Sequence, residues 1–252
     1  MSDKDLDFDG SPPFQQTGRV TRLQNLVLRG VLIPDDVRVF PEAIRKAIVK
    51  GWYESSEANE LDGLIGEGER ILELGSAIGY ISTLMSRNPK TAEILCFEAN
   101  PKIIEFSRKV HQLNNVKNVR VENAILTADE NEGEIKFYLR DHFWASSTYA
   151  EPWGYESELM IPTRSLKQVI ADFRPSLIVC DIEGGEVDLF EKADLTSIPK
   201  IMLEIHPEIT GLAGVRSLFD AMSRNGLVYD AEHSSRKIVS FCRPSELQDK
   251  GP

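Results

Sequence analysis

Two short runs of polar residues, each placed after an apolar stretch, contain the side chains most suited to chemistry. One is Asp181-Ile182-Glu183 and the other is Glu204-Ile205-His206. A carboxylate at such a position can bind a hydroxyl or an ammonium group, and a histidine with an ordinary pKa of about 6.5 can remove a proton as a general base. We therefore predict that His206 is a catalytic base. Asp181 and Glu183 are predicted to position the hydroxyl group from which His206 removes the proton.

The same residues leave other roles open. Carboxylates from Asp181, Glu183 and Glu204 together with the imidazole of His206 would suit Mg²⁺ or Mn²⁺, although hydrogen bonding without a metal ion is the interpretation that we favour. His206 could instead be a structural histidine bonded to a backbone carbonyl. Glu186 could simply begin a helix, where the helix dipole favours acidic residues.

A glycine-rich turn is the third feature of interest. The apolar run 70–74 leads into Gly75-Ser76-Ala77-Ile78-Gly79, and Glu98 ends the next apolar run, 19 residues beyond Gly79. In α/β nucleotide-binding units this distance places a carboxylate on a ribose diol, and glycine allows a tight turn and the close approach of a ligand. The Gly-x-Gly-x-x-Gly fingerprint is absent, which disfavours an NAD-linked oxidoreductase.

Composition restricts the function further. The chain has 252 residues, a net charge of −11 and a sequence pI of about 5.0, and an acidic surface repels nucleic acid and anionic lipid. The apolar runs are too short to span a membrane, and the first ten residues, with four aspartates, do not resemble a secretory signal. Cys96, Cys180 and Cys242 are expected to fill apolar strands. We therefore expect a cytoplasmic protein that binds neither nucleic acid nor membranes.

The order of the predicted elements indicates an α/β fold with three parts. We expect a disordered arm at 1–18, a helical extension at 19–66 and one α/β domain at 67–245, in which seven strands alternate with helices. The strands near 227–232 and 237–242 are joined by a short polar link. They should form an antiparallel hairpin at the end of a mainly parallel sheet.

An insertion is expected within this domain. Residues 132–140 and 158–163 have the pattern of a hairpin pair, and the aromatic and polar segment 141–155 between them is long enough to be a lid over a substrate. The alternative is aromatic packing at the edge of the sheet. His111 and His233 occur in polar surroundings and are expected to face solvent.

Six motifs in this order resemble the FkbM family of S-adenosylmethionine (SAM) dependent methyltransferases. The resemblance extends from about Gly51 to Arg243. The motifs are Trp52-Tyr53-Glu54 with Glu57, Glu73-Leu74-Gly75-Ser76-Ala77-Ile78-Gly79-Tyr80, Phe97-Glu98-Ala99-Asn100-Pro101, Asn123-Ala124-Ile125, Cys180-Asp181-Ile182-Glu183-Gly184-Gly185-Glu186 and Leu203-Glu204-Ile205-His206-Pro207.

The resemblance implies a Rossmann-like, seven-stranded class I methyltransferase sheet that binds SAM and methylates a hydroxyl group of a natural product or sugar. The cofactor-binding residues that it implies are Glu73, Gly75, Ser76, Gly79, Tyr80, Glu98, Ala99, Asn123, Ala124 and Asp181. Cys180 stands where the family commonly has lysine, and Arg164-Ser165-Leu166-Lys167 stands where it commonly has Leu-Asp, so the resemblance does not identify the acceptor. A non-catalytic SAM-binding protein is the alternative, and a homodimer is left open.

Overall fold

The structure is a computed structural model that describes residues 25–140, 146–151 and 154–246. The arm expected at 1–18 and part of the expected lid, namely 141–145 with 152 and 153, lie outside the described residues. No helix in the described ranges is long and apolar enough to cross a membrane.

Strands and helices alternate through most of the described chain. The strands are β1 (Asn25–Leu28), β2 (Val31–Pro34), β3 (Glu69–Leu74), β4 (Thr91–Phe97), β5 (Val119–Glu122), β6 (Ile125–Thr127), β7 (Glu134–Leu139), β8 (Ser157–Ser165), β9 (Leu177–Cys180), β10 (Lys200–Glu204), β11 (Val228–Ser235) and β12 (Ile238–Cys242). The helices are α1 (Glu42–Lys50), α2 (Ser55–Leu64), α3 (Tyr80–Arg87), α4 (Pro101–Leu113), α5 (Leu166–Phe173), α6 (Glu186–Phe190) and α7 (Pro207–Arg224).

Seven strands form one sheet in the order β11-β12-β10-β9-β3-β4-β5. The strands from β10 to β5 are parallel neighbours, whereas β12 runs antiparallel to both β10 and β11. The predicted sheet is confirmed, with the refinement that its antiparallel strand, β12, lies one position inside the edge. The strand order reverses between β3 and β9, and ligands of open α/β sheets bind outside the strand ends at such a point.

The sheet separates two apolar cores. Successive residues of a strand point to opposite faces, so Ile71 of β3 belongs to one core and Leu72 to the other, and both are fully buried. The N-terminal elements with α2, α3 and α4 cover the first face, and α5, α6 and α7 cover the second. Packing on both faces holds the carboxyl ends of the central strands in place.

The N-terminal extension contains a β-hairpin that the sequence analysis missed. β1 and β2 pair through the turn Arg29-Gly30, whose φ angles of 45° and 78° are both positive, as a type I′ hairpin turn requires. The helical extension expected at 19–66 is corrected accordingly, since its described part begins with this hairpin and helices α1 and α2 follow it. The side-chain oxygen of Asn114 accepts the amide of Leu32, and its side-chain nitrogen donates to the Leu32 carbonyl. These two hydrogen bonds hold the hairpin against the end of α4.

A second, three-stranded sheet has the order β6-β8-β7. β7 and β8 are antiparallel over six residue pairs, from Glu134 opposite Pro162 to Leu139 opposite Ser157, and β6 runs parallel to β8. The predicted hairpin pair is therefore present. It stands beside the carboxyl ends of the large sheet, where it can form a wall of a ligand site.

Candidate functional site

The glycine-rich turn brings two strand ends into direct contact. Gly75 has a φ of 83°, and a Cβ atom built on it would lie 1.7 Å from the carbonyl oxygen of Asp181. The amide of Asp181 also donates a hydrogen bond of 2.9 Å to the carbonyl of Leu74. The packing of β3 against β9 therefore requires glycine at position 75. The Asp181 carbonyl can approach the Gly75 backbone this closely because glycine has no side chain.

Gly79 is required for a different contact. Its φ is 77°, and a Cβ atom there would lie 2.5 Å from the hydroxyl oxygen of Ser107 on α4. His111 packs at the same place, is 7% exposed and shares a hydrogen bond of 2.9 Å with the hydroxyl of Ser82. Burial lowers the pKa of His111 to about 4. The expectation that His111 faces solvent is therefore wrong, and His233 is itself partly buried against Asp230.

Glu98 closes the turn from the end of β4. One of its carboxylate oxygens accepts the amide of Ala77 at 2.8 Å, and the other accepts the amide of Asn100 at 2.7 Å. Burial raises the pKa of this carboxyl above its usual value, while these backbone hydrogen bonds act in the opposite direction. Ala77 has a positive φ of 42°, so the carboxylate holds a strained loop residue beside the strand end.

A cavity of about 380 Å³ lies outside the ends of β3, β4 and β9, at the point where the strand order reverses. Its volume falls within the range of about 300–1,000 Å³ that is typical of ligand sites. The predicted site residues that line it are Gly75, Glu98, Ala99, Ala124, Asp181 and Glu183. Apolar side chains from β6 and β7 form another part of the wall, including Ile125, Leu126 and Phe137.

Other predicted site residues lie behind the cavity wall. The side-chain amide of Asn123 donates to the carbonyls of Glu98 and Ala99 and so supports the loop instead of facing the cavity. Ser76 and Tyr80 are buried, and the Tyr80 ring packs against Tyr53. These residues, like Gly79, are not among those that line the cavity.

Glu73 is also placed below the cavity. Its carboxylate is 2% exposed and accepts a hydrogen bond of 2.8 Å from the thiol of Cys96. Burial raises the pKa of Glu73 to about 7. Glu73 borders a small pocket that it shares with Glu54, Glu57, Asp181 and Glu204, and it contributes a buried acid to the base of the site.

The ends of β9 and β10 gather the predicted catalytic residues into one cluster. The Nε2 atom of His206 lies 3.6 Å from Asp181, 3.5 Å from Glu183 and 3.9 Å from Glu204, each measured to a carboxylate oxygen. Its Nδ1 atom lies 3.2 Å from Oε1 of Glu186. Asp181 and His206, which are 25 residues apart in the sequence, therefore meet at one edge of the sheet, as expected for residues that follow two neighbouring parallel strands.

The electrostatics of this cluster differ from the expectation for His206. Burial by itself lowers the pKa of His206, but the surrounding carboxylates outweigh burial and raise the pKa to about 10. Burial raises the pKa of Asp181 to about 8 and that of Glu183 to about 7, with further contributions from neighbouring acids. His206 is 4% exposed and does not line the cavity. The role of His206 as a general base stays a prediction.

Two features of the site were not predicted as such. Glu54, which has a positive φ of 44°, lines both the main cavity and the small pocket, and Glu57 lines the pocket. Both acids belong to the motif Trp52-Tyr53-Glu54 with Glu57, which the sequence analysis used for the family resemblance without assigning a role to either acid. Residues 146–151 form the outer wall: Ser146 and Thr148 line the cavity. This placement agrees with the lid expected at 141–155 only for the described part of that segment.

The comparisons with known proteins agree with this architecture. The sequence pattern of the family described as "Methyltransferase FkbM domain" matches residues 73–227, more than half of the chain. No curated protein matches the chain.

Solved structures with a similar backbone include three methyltransferases. A precorrin-6y C5,15-methyltransferase from Geobacter metallireducens is 12% identical with a TM-score of 0.47, over 75% of this chain and 88% of that one. A putative O-methyltransferase from Klebsiella pneumoniae is 14% identical with a TM-score of 0.45, over 76% and 80%. A TehB-like SAM-dependent methyltransferase from Corynebacterium glutamicum is 12% identical with a TM-score of 0.45, over 80% and 95%. At this level the neighbours carry no argument about the acceptor.

Proposed function

Because the chain belongs to the FkbM methyltransferase family, whose cofactor is SAM, we propose that it transfers a methyl group to a hydroxyl oxygen of a small molecule. The observation that supports this most directly is the cavity at the strand-order reversal. Glu98 stands at one side of it, and Asp181 with Glu183 stands at another. One side suits a ribose and the other suits a hydroxyl group that must lose a proton.

The residues around the cavity fit SAM. Glu98 would accept hydrogen bonds from the ribose hydroxyls, since each of its oxygens has a lone pair left beside its backbone contact. Ala99, Ala124 and the apolar side chains of β6 offer a flat apolar surface for an adenine. The loop at Gly75 to Ala77 would border the amino acid part. When bound, SAM supplies an electrophilic methyl group on a positively charged sulfur.

Asp181 and Glu183 are the residues proposed to act on the acceptor. Both line the cavity, and a carboxylate accepts a hydrogen bond from a hydroxyl group and can take its proton. Holding the oxygen at about 3–3.5 Å from the methyl carbon is itself a large part of catalysis. His206 stands behind these carboxylates, so we assign it a supporting role and give the role of base to Glu183, with Asp181 orienting the hydroxyl.

Calorimetry with SAM and with NAD tests the cofactor, and release of S-adenosylhomocysteine in the presence of hydroxylated small molecules tests the reaction. We expect SAM to bind and NAD not to bind. Glu183→Gln should retain SAM binding and lose about 10²–10⁴ in turnover, with Glu191→Gln, another acid on the cavity wall, as the matched control. A protein that binds SAM and releases no product with any hydroxylated compound would support the non-catalytic alternative.

A further inference from the structure

The carboxylates around His206 carry more negative charge than the nearby side chains balance. We call Asp181, Glu183, Glu186, Glu204 and His206 the His206 cluster. Within the described ranges, the ion pairs of these four acids all lead to His206 and none leads to a lysine or an arginine. With all four acids ionised and the imidazole protonated, the cluster would carry an excess of three negative charges. Glu186 and His206 are buried and the other three side chains are 22–34% exposed, so these acids must either take up protons or be balanced by a cation.

Glu186 orients the imidazole ring. This acid is fully buried, and its Oε1 atom accepts the amides of Ile182 at 3.1 Å and Gly184 at 3.3 Å while it contacts Nδ1 of His206 at 3.2 Å. A carboxylate on one ring nitrogen is the arrangement that fixes a metal-binding histidine and directs its other nitrogen to the ion. Here the other nitrogen, Nε2, faces Asp181, Glu183 and Glu204.

Two carboxylate oxygens of the His206 cluster are buried and have no hydrogen-bond partner among the described residues. His206 is 4% exposed, and three carboxylate oxygens lie 3.5–3.9 Å from its Nε2 atom, farther than in an ordinary hydrogen bond. The unpaired oxygens of the cluster in the described part of the chain are Oδ1 of Asp181, one of these three oxygens, and Oε2 of the fully buried Glu186. Buried polar groups are normally paired, so the arrangement indicates a ligand between His206 and Asp181.

The donor atoms are spaced for a single ion. Ligand atoms of Asp181, Glu204 and His206 all lie within 4.8 Å of one another, and a cation between them would be about 2.0–2.6 Å from each. We infer that these three residues bind a divalent cation of the Mg²⁺ or Mn²⁺ type, with Glu186 holding His206 in position. This reverses the preference for a metal-free cluster that the sequence alone suggested.

The role of the ion rests on the proposed function. Asp181 lines the main cavity, so an ion on its carboxylate would stand at the cavity wall with coordination positions left open. An acceptor hydroxyl bound to such an ion would have a lowered pKa, and Glu183 next to it would receive the proton. The methyl acceptor would therefore be a molecule whose hydroxyl group can bind a metal ion.

Binding of Mn²⁺ can be measured by electron paramagnetic resonance on the full chain after treatment with a chelator, with and without SAM. We expect one Mn²⁺ per chain, competition by Mg²⁺, and at least a tenfold loss of affinity in both Glu204→Gln and His206→Gln. Glu208→Gln is the matched control, because Glu208 is close by but is paired with Lys237. Melting temperatures show whether the variants are folded. Mn²⁺ binding to the wild-type chain tests the inference even if a variant does not fold.

The outcomes separate this inference from the proposed function. If Mn²⁺ fails to bind the wild-type chain while SAM binds, the metal site is wrong and the methyltransferase proposal stands. Equal Mn²⁺ affinity in the wild type and both folded variants would place the ion elsewhere and also overturn the inference. Displacement of Mn²⁺ by SAM would show that the charge of SAM itself occupies the cluster, which overturns it too. Mn²⁺ binding that tolerates SAM supports it.

Discussion

At the scale of single residues, Glu98 has the contacts that best predict cofactor binding. A charge-assisted hydrogen bond contributes about 1.5–3 kcal/mol, so Glu98→Gln should weaken SAM binding at least tenfold, as measured by calorimetry. Glutamine has one carbonyl oxygen and can accept only one of the two backbone amides that Glu98 holds, so the melting temperature of the variant is measured as well. Glu105→Gln, on the exposed face of α4, should bind SAM normally. Unchanged affinity in a folded Glu98→Gln variant would remove Glu98 from the ribose site.

Gly75 and Gly68 allow a comparison of how much an added side chain lowers the free energy of unfolding. Both have positive φ angles, 83° and 70°, but a Cβ atom at Gly68 would meet nothing within 4 Å, whereas one at Gly75 would collide with the Asp181 carbonyl. We expect Gly68→Ala to cost about 1–2 kcal/mol of unfolding free energy, from backbone strain alone. Gly75→Ala should cost at least about 2 kcal/mol more. Similar values from urea unfolding would contradict the packing argument for Gly75.

Glu73 predicts a pH dependence of stability. Its pKa is raised by burial from 4.5 to about 7, so the folded state holds the proton more tightly than the unfolded state does. The resulting stabilisation is complete below about pH 4.5 and is lost as the pH rises through 7. Glu73→Gln should therefore melt at a higher temperature than the wild type at pH 8, by the equivalent of up to about 3 kcal/mol, and the difference should shrink towards pH 5. Glu134→Gln, at an exposed position of β7, should show no such trend.

At the scale of elements, several hydrogen bonds hold the segment 146–151 beside the cavity, including backbone bonds between Tyr138 and Ser147. Arg140 donates to the carbonyls of Tyr149 and Ala150, and the Tyr149 hydroxyl donates a hydrogen bond of 2.8 Å to Asp188. We expect Tyr149→Phe to speed hydrogen exchange in peptides that cover this segment, because one anchor is lost. Tyr155→Phe is the control, since the Tyr155 ring packs at a tilt against Tyr138. If hydrogen exchange is unchanged in Tyr149→Phe, the remaining hydrogen bonds are enough to hold the segment in place.

At the scale of the whole molecule, the acidic chain should fold without its polar N-terminal arm. Residues 1–18 have a composition that cannot offset the entropy of ordering, so a chain starting at Arg19 should melt within a few degrees of the full chain. A large loss of stability would mean that the arm docks on the domain or on a second copy. Sedimentation of both chains would distinguish these two cases.

The sequence by itself determined the elements and their order. Apolar runs such as 70–74 and 177–180, each closed by glycine or an acid, predicted strands whose carboxyl ends meet at one edge. Parallel strands joined by helices leave few topologies, so the convergence of Asp181 and His206 on that edge could be predicted, as could Glu98 on the cavity wall. These features depend on local pattern and on general rules of connection.

Only the tertiary structure decided the environment of each side chain. Gly75 faces the Asp181 carbonyl, Asn123 turns towards the loop backbone, His111 is buried beneath Gly79, and the hairpin β1–β2 packs on α4. The pKa of His206 depends on Glu186, Asp181 and Glu183, which lie 20 or more residues away in the sequence. Burial and pKa are set by groups that are near in space and distant in sequence, and a local pattern contains no measure of those distances.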